Sequence, residues 1–258
     1  MIQALPGRNP SPIDDKMTDE KRRRTDRPIL GVLGGMGPAA TVDFYRKLVA
    51  ATPAAKDQDH HRIVIVADPT VPDRSDALLS GRGAAVLEAL LQGLHRLQRL
   101  DVDAIAIPCN TAHYWLGALR DAIDRPILSI ASAAADSTVE RFGADSKVAI
   151  LGTAGTMSYG IYDEALDSAR LQRVQLLDSE ADAVQATIRD VKSGRVKCAR
   201  AALDGVLASV GARSDAVILA CTELPIAAGD RLATDSRLVD STNCLVDACL
   251  RWLDGHRH

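Results

Sequence analysis

Two stretches decide how this chain is read: Asp103-Ala104-Ile105-Ala106-Ile107-Pro108-Cys109-Asn110-Thr111-Ala112-His113 and Ala216-Val217-Ile218-Leu219-Ala220-Cys221-Thr222-Glu223-Leu224-Pro225. In each, a short apolar run rich in β-branched residues leads into a cysteine with small polar neighbours. Such a run, bounded by turn residues, reads as a strand buried on both faces, as in a parallel sheet. Each cysteine therefore falls where a strand is predicted to give way to a helix. Two thiols in matched settings point to paired acid/base groups facing one substrate. That pairing suits removal of a proton from one face of a carbon and delivery to the other.

Working outward, the pattern predicts strands over 28–33, 62–67, 103–107 and 127–130, with helices over 39–50, 83–100 and 111–123. It then restarts, with strands over 147–151, 173–177, 214–220 and 238–240. The helices of this second part are expected over 158–169, about 180–192, about 196–210 and, closing the chain, about 241–254. Alternating strands and helices imply parallel sheets covered on both faces. The halves also match in spacing: Cys109 lies 75 residues after Gly34, and Cys221 lies 69 after Gly152. The expected fold is therefore α/β: two similar small parallel-sheet domains in a pseudo-twofold relation, with an active-site cleft between them. The expected division is 28–130 plus a returning helix at 245–258 for one domain, and 131–244 for the other. Ligands of such sheets bind beyond the carboxyl ends of the strands, which is where both cysteines stand.

Composition excludes several functions. Of 258 residues, 47% are hydrophobic, 25% charged and 3% aromatic, with a net charge of −3. There is no basic excess for nucleic acid or an anionic membrane, and too few aromatics to stack bases. No apolar run is long enough to span a bilayer. Residues 1–27 form a separate block rich in Pro, Asp, Lys and Arg, ending near Lys21-Arg22-Arg23-Arg24. It lacks the apolar core of a secretory signal and reads as a disordered leader, its basic tetrad a solvated tail. The five cysteines (109, 198, 221, 244 and 249) include no C-x-x-C pair, so neither a disulfide framework nor a zinc cluster is expected, and a reducing cytoplasm fits. Cys198, Cys244 and Cys249 sit in helical patterns and read as packing.

Gly34-Gly35-Met36-Gly37-Pro38-Ala39-Ala40-Thr41 joins the first strand to the first helix. Glycines permit the tight turn, and the helix start offers N–H groups to an anion. The spacing Gly35-x-Gly37-x-x-Ala40 loosely fits a dinucleotide fingerprint. However, the acid ending the second strand, Asp68, lies 33 residues after Gly35 rather than about 20, and Pro38 removes a donor. The loop reads better as a carboxylate or substrate loop. Arg74, in Val71-Pro72-Asp73-Arg74-Ser75, has the planar fork that pairs a carboxylate, yet alone it reads as a solvated loop arginine. Lys192 alone is an ordinary helix-end lysine. His113 stands four residues after Cys109, as a thiol partner, a metal ligand or a cleft-lining side chain.

Together these residues resemble the aspartate/glutamate racemase superfamily, and within it the cofactor-independent aspartate racemases. The marks occur in order over residues 28–254: the GGMGP-A-T loop, VPDR, PCNTAH, LGT-x-x-T and CTELP. The resemblance implies the two-domain fold, a site between the domains, commonly a homodimer, and no pyridoxal phosphate or other cofactor. It implies that Cys109 and Cys221 are the catalytic acid/bases and that Met36 belongs to the substrate loop. Arg74 and Lys192 would recognise the distal carboxylate of a small acidic amino acid, while Asn110, Thr111, Thr153, Thr222 and Glu223 hold its amino-acid end. Ser75, where threonine is frequent, and Ala220, where glycine is frequent, depart from the pattern. The expected reaction is interconversion of L- and D-aspartate, or glutamate, by two-base proton transfer at Cα. Rival readings are a maleate isomerase using one cysteine as nucleophile, a hydantoin racemase, and a non-catalytic protein that binds acidic amino acids.

Overall fold

The computed structural model describes residues 27–256; the leader reading, apart from Arg27, lies outside them. Its strands form two four-stranded sheets, all parallel. The first contains β1 (Ile29–Gly34), β2 (Arg62–Ala67), β3 (Ala104–Ala106) and β4 (Ile127–Leu128), in the order β2-β1-β3-β4. The second contains β5 (Lys147–Gly152), β6 (Gln172–Val174), β7 (Ala216–Ala220) and β8 (Leu238–Asp240), in the order β6-β5-β7-β8. The second order repeats the first, so β3 and β7 hold equivalent places, each beside the strand that opens its half.

Helices cover both faces of each sheet. In the first half, α1 (Pro38–Ala51) lies on one face, while α2 (Arg74–Leu79) and α3 (Gly83–Gln98) belong to the other, with α4 (Leu116–Asp121). Leu90, Leu94 and Leu97 of α3 are fully buried, and each contributes about 2 kcal/mol by leaving water. In the second half, α5 (Ile130–Phe142) and α7 (Asp163–Ser168) pack on one face. Opposite them lie α8 (Asp178–Lys192), α9 (Val196–Gly211) and α10 (Leu224–Ala228), with Leu232 of α11 (Arg231–Thr234) at their margin. The last helix, α12 (Ser241–Gly255), returns to the first half. Its Leu245, Val246, Cys249 and Leu253 pack with Leu30, Val32, Phe44 and Leu48, whereas Cys244 packs with the second half. No described helix is long and apolar enough to cross a membrane.

Several elements differ from the sequence reading. The helix expected over 111–123 is a 3-10 helix, Thr111–Trp115, followed by α4. The reason is local. The ring of His113 occupies the Cys109 carbonyl, which an α-helix would give to the His113 N–H, and that N–H bonds to Asn110 O instead. The helix expected over 158–169 breaks into α6 (Ala154–Ser158) and α7 around Gly160, which turns the chain with φ 59°. The strand expected over 127–130 stops at Leu128, because Ser129 caps α5 by accepting from Ser132 N–H. Arg74 is not in a loop but opens α2, whose cap is Asp73. Cys198, read as packing, is exposed on α9; Cys244 and Cys249 are buried.

Candidate active site

The loops after β3 and β7 carry the two cysteines. Cys109 and Cys221 are 6% and 5% exposed, and both line one narrow cavity between the halves. Each sheet ends close by on a tightly packed glycine. A Cβ on Gly34 would lie 2.6 Å from Thr41 Cγ2, and one on Gly152 would lie 3.0 Å from Thr156 Cγ2. Gly35 is more demanding still, with φ 92° and Asp68 backbone 2.3 Å from any Cβ. The loop it begins brings Met36 to the cavity.

The other seven residues singled out in the sequence, Arg74, Asn110, Thr111, Thr153, Lys192, Thr222 and Glu223, line the same cavity. Asp73 caps α2 by accepting from the N–H groups of Ser75 and Asp76 at 2.9 and 3.0 Å, which fixes where Arg74 leaves the backbone. Arg74 Nη2 donates to Met36 O at 2.7 Å, and its buried Nε has no partner among the described residues. Burial opposes the Arg74 charge, but the Cys109 sulfur, Asp73 and Glu223 outweigh it and raise the guanidinium above its ordinary range. Lys192, at the end of α8, reaches Asp73 Oδ2 at 3.5 Å across the cleft. Cys221 donates to Glu223 Oε2 at 3.0 Å, and Thr222 to the same oxygen at 3.3 Å. Burial and the Glu223 carboxylate push the Cys221 thiol well up, so it is held protonated.

Two of the lining threonines bond to a third hydroxyl behind them. Thr111 Oγ1 lies 2.9 Å from Thr153 Oγ1 and 3.0 Å from Thr156 Oγ1, which are 3.0 Å apart. Thr156 was not among the residues expected here. Its signal is the spacing Thr153-x-x-Thr156, since Thr153 caps α6 and accepts from Thr156 N–H. His113 takes none of the three roles first considered, and it does not line the cavity. Its Nε2 accepts from Ile130 N–H at 3.1 Å, so Nδ1 carries the hydrogen and donates to Cys109 O at 2.9 Å. Burial pushes it down to about 4 and keeps it neutral. It ties the Cys109 loop to the start of α5. Among the described residues no group of three or more His, Cys, Asp or Glu side chains is placed to hold a metal ion.

The cavity encloses about 20 Å³, room for about one water. The halves are shut on one another by a clasp of α2 against α6. Gly155 N–H donates to Ser75 Oγ at 2.8 Å, and Tyr159 OH donates to Leu78 O at 2.7 Å. A Cβ on Gly155 would lie 2.9 Å from Ser75 Cα, so the contact is backbone against backbone. Ser75 thus serves the clasp. A larger open groove, about 690 Å³, lies at the amino ends of β5, β7 and β8. Its Arg141 and Arg237 already bond to backbone carbonyls of Leu238, Ser236 and Gly211, and it lies at the wrong end of the sheet for a ligand of this fold.

The family model for Asp/Glu/hydantoin racemases matches residues 33–249. The chain belongs to that family. It is an isomerase of the racemase type. Aspartate racemase of Picrophilus torridus is 32% identical, covering 88% of this chain and 94% of its own, and superposes with a TM-score of 0.77. The broad specificity amino-acid racemase RacX of Bacillus subtilis is 29% identical over 226 residues, 84% of this chain and 94% of the relative. Glutamate racemase of Francisella tularensis, solved with D-glutamate, shares the fold at 17% identity and a TM-score of 0.66, covering 89% of this chain and 82% of its own. Racemases thus supply both the sequence relatives and the two-sheet architecture.

Proposed function

We propose that the chain interconverts the L- and D-forms of a small acidic amino acid, aspartate first, without pyridoxal phosphate. The reading is carried by one observation: cysteines from two different sheets line a single cavity that also holds Arg74 and Lys192. The α-proton of an amino acid is weakly acidic, so the carbanion needs stabilisation as it forms. Thr111, Thr153 and Asn110 supply hydroxyl and amide donors for an α-carboxylate gaining enolate charge, and Thr222 lines the same cavity. Cys109, beside the Arg74 cation, takes the proton in one direction, and Cys221, a thiol beside Glu223, returns one to the opposite face. The roles exchange in reverse.

Acidic specificity is supported by Arg74, whose buried Nε is unpartnered, together with Lys192. A neutral substrate would leave that buried donor without an acceptor. The Bacillus subtilis relative, named for broad specificity, favours a second reading in which neutral amino acids are also turned over. Incubation in D2O with individual L- and D-amino acids decides between them. Deuterium entering Cα of aspartate with loss of optical rotation is expected. Exchange confined to neutral amino acids sinks the acidic reading, and binding without exchange makes the chain a sensor.

In this reading the working units are residues 28–130 with 245–258, and 131–244, in the cytoplasm. The partner is a second copy. Val42, Tyr45 and Val49 stay exposed at helical spacing on α1, an apolar stripe that a homodimer would cover.

A further inference from the structure

Tyr162 is among the largest fully buried side chains, and the proton transfer described above does not use it. Its hydroxyl lies 2.6 Å from Asn110 Oδ1. Asn110 Nδ2 lies 3.2 Å from Ser241 Oγ, which in turn lies 2.8 Å from the carbonyl oxygen of Leu219. That carbonyl fixes the direction of every bond in the chain. A carbonyl only accepts, so the single hydroxyl hydrogen of Ser241 is committed to Leu219. Ser241 must then accept from Asn110, which sets Nδ2 toward Ser241 and Oδ1 toward Tyr162. Tyr162 therefore donates. Burial pushes its phenol far up, so the donor hydrogen stays in place.

The four residues stand at informative places. Asn110 follows Cys109 and lines the cavity. Leu219 precedes Cys221 by two residues in β7, Tyr162 precedes α7, and Ser241 begins α12, where the chain crosses back to the first half. The bonds thus run from one cysteine loop to the other through the crossing. Turning the Asn110 amide over would set its NH2 against the Tyr162 donor and its oxygen against a serine whose hydrogen is already used. Both mismatches would be buried, where an unmade hydrogen bond is most costly. With one N–H and one oxygen lone pair used, the second N–H of Asn110 remains for the cavity.

We infer that Tyr162 and Ser241 are positioning residues that lock the Asn110 amide with an N–H available to the substrate α-carboxylate. Asn110 is then a donor to the oxygen that gains charge as the Cα proton leaves. This rests on the racemase reading above.

The test is Tyr162→Phe, which keeps the ring and removes the donor. It is expected to lower kcat for L- and D-aspartate by roughly ten- to a hundredfold, with KM little changed, since the lost bond strengthens only in the transition state. In an Asn110→Ala background the same substitution should have no further effect on kcat. An unchanged kcat in Tyr162→Phe overturns the inference. So does an equal fall in both backgrounds, because Tyr162 would then act through packing alone. The side-chain amide of Asn110 gives a readout independent of turnover. In 15N-labelled protein the Asn110 hydrogen bonded to Ser241 should exchange slowly with solvent, and Tyr162→Phe should abolish that protection; persistence of the protection overturns the network. A wild-type enzyme that exchanges no Cα proton sinks the racemase reading, while the amide signals still judge the lock.

Discussion

The loops after β3 and β7 occupy equivalent places in sheets of the same strand order, yet they differ in charge. Cys109 has the Arg74 guanidinium beside it, and Cys221 has the Glu223 carboxylate. They also differ in mooring. Cys109 is held through its backbone, by a turn bond from its own N–H to Ile107 O and by the His113 ring on its carbonyl. Cys221 is held both through its carbonyl, which accepts from Leu224 N–H, and through its sulfur, by Glu223. The repeated fold brings two like atoms to one place; their neighbours make them chemically unlike. In a two-base exchange one sulfur begins without its proton and the other with it, and the assignment swaps when the reaction runs in reverse.

The most drastic way to break the comparison is to remove either sulfur. Cys109→Ala and Cys221→Ala should each lower racemisation about a thousandfold or more in both directions, with Cys198→Ala unchanged, as measured by polarimetry. Undiminished turnover in Cys109→Ala ends the two-base proposal. Next comes the cation on the Cys109 side. Arg74→Ala should raise KM for aspartate roughly ten- to a hundredfold, and an unmoved KM would remove Arg74 from substrate recognition.

Glu223→Gln sharpens the contrast, because it keeps the shape and removes the charge beside Cys221. Burial, the larger cause of the raised thiol, remains, so the shift is only partly relieved. The alkaline limb of the rate profile should move to lower pH, with kcat falling about tenfold. A profile unchanged in shape would show that Glu223 does not govern Cys221.

The effect furthest from turnover is on stability. Folded His113 titrates near 4 rather than 6.5, so the unfolded chain takes up its proton first as the solution is acidified. Its contribution is present in full above pH 6.5 and is lost as pH falls toward 4, by roughly 3 kcal/mol. His113→Gln should flatten that acid slope in denaturant titrations at fixed pH steps; an identical slope would assign it to other groups.

Much of the architecture was legible because parallel strands buried on both faces write themselves as continuous apolar runs. Arg62–Ala67 coincides with the strand read from sequence, and the other longer runs agree to within a few residues. The alanine-rich α5 was missed, since Ala131, Ala133, Ala134 and Ala135 carry little periodic contrast. Helix 111–123 was misjudged because a side chain, His113, took a backbone acceptor, which no propensity encodes. The ten cavity residues were legible through ordered motifs, but their partners were not. Nothing near Tyr162 or Ser241 in the sequence marks their bonds to Asn110, which join residues 52 and 131 positions apart.

The shut clasp of α2 on α6 also bears on the timing of the reaction. A chamber that admits about one water must part its walls for each molecule entering and again for each leaving. Separation of the halves therefore accompanies every turnover, and the Gly155–Ser75 and Tyr159–Leu78 bonds must give together with the Thr111–Thr153 and Lys192–Asp73 contacts across the same cleft.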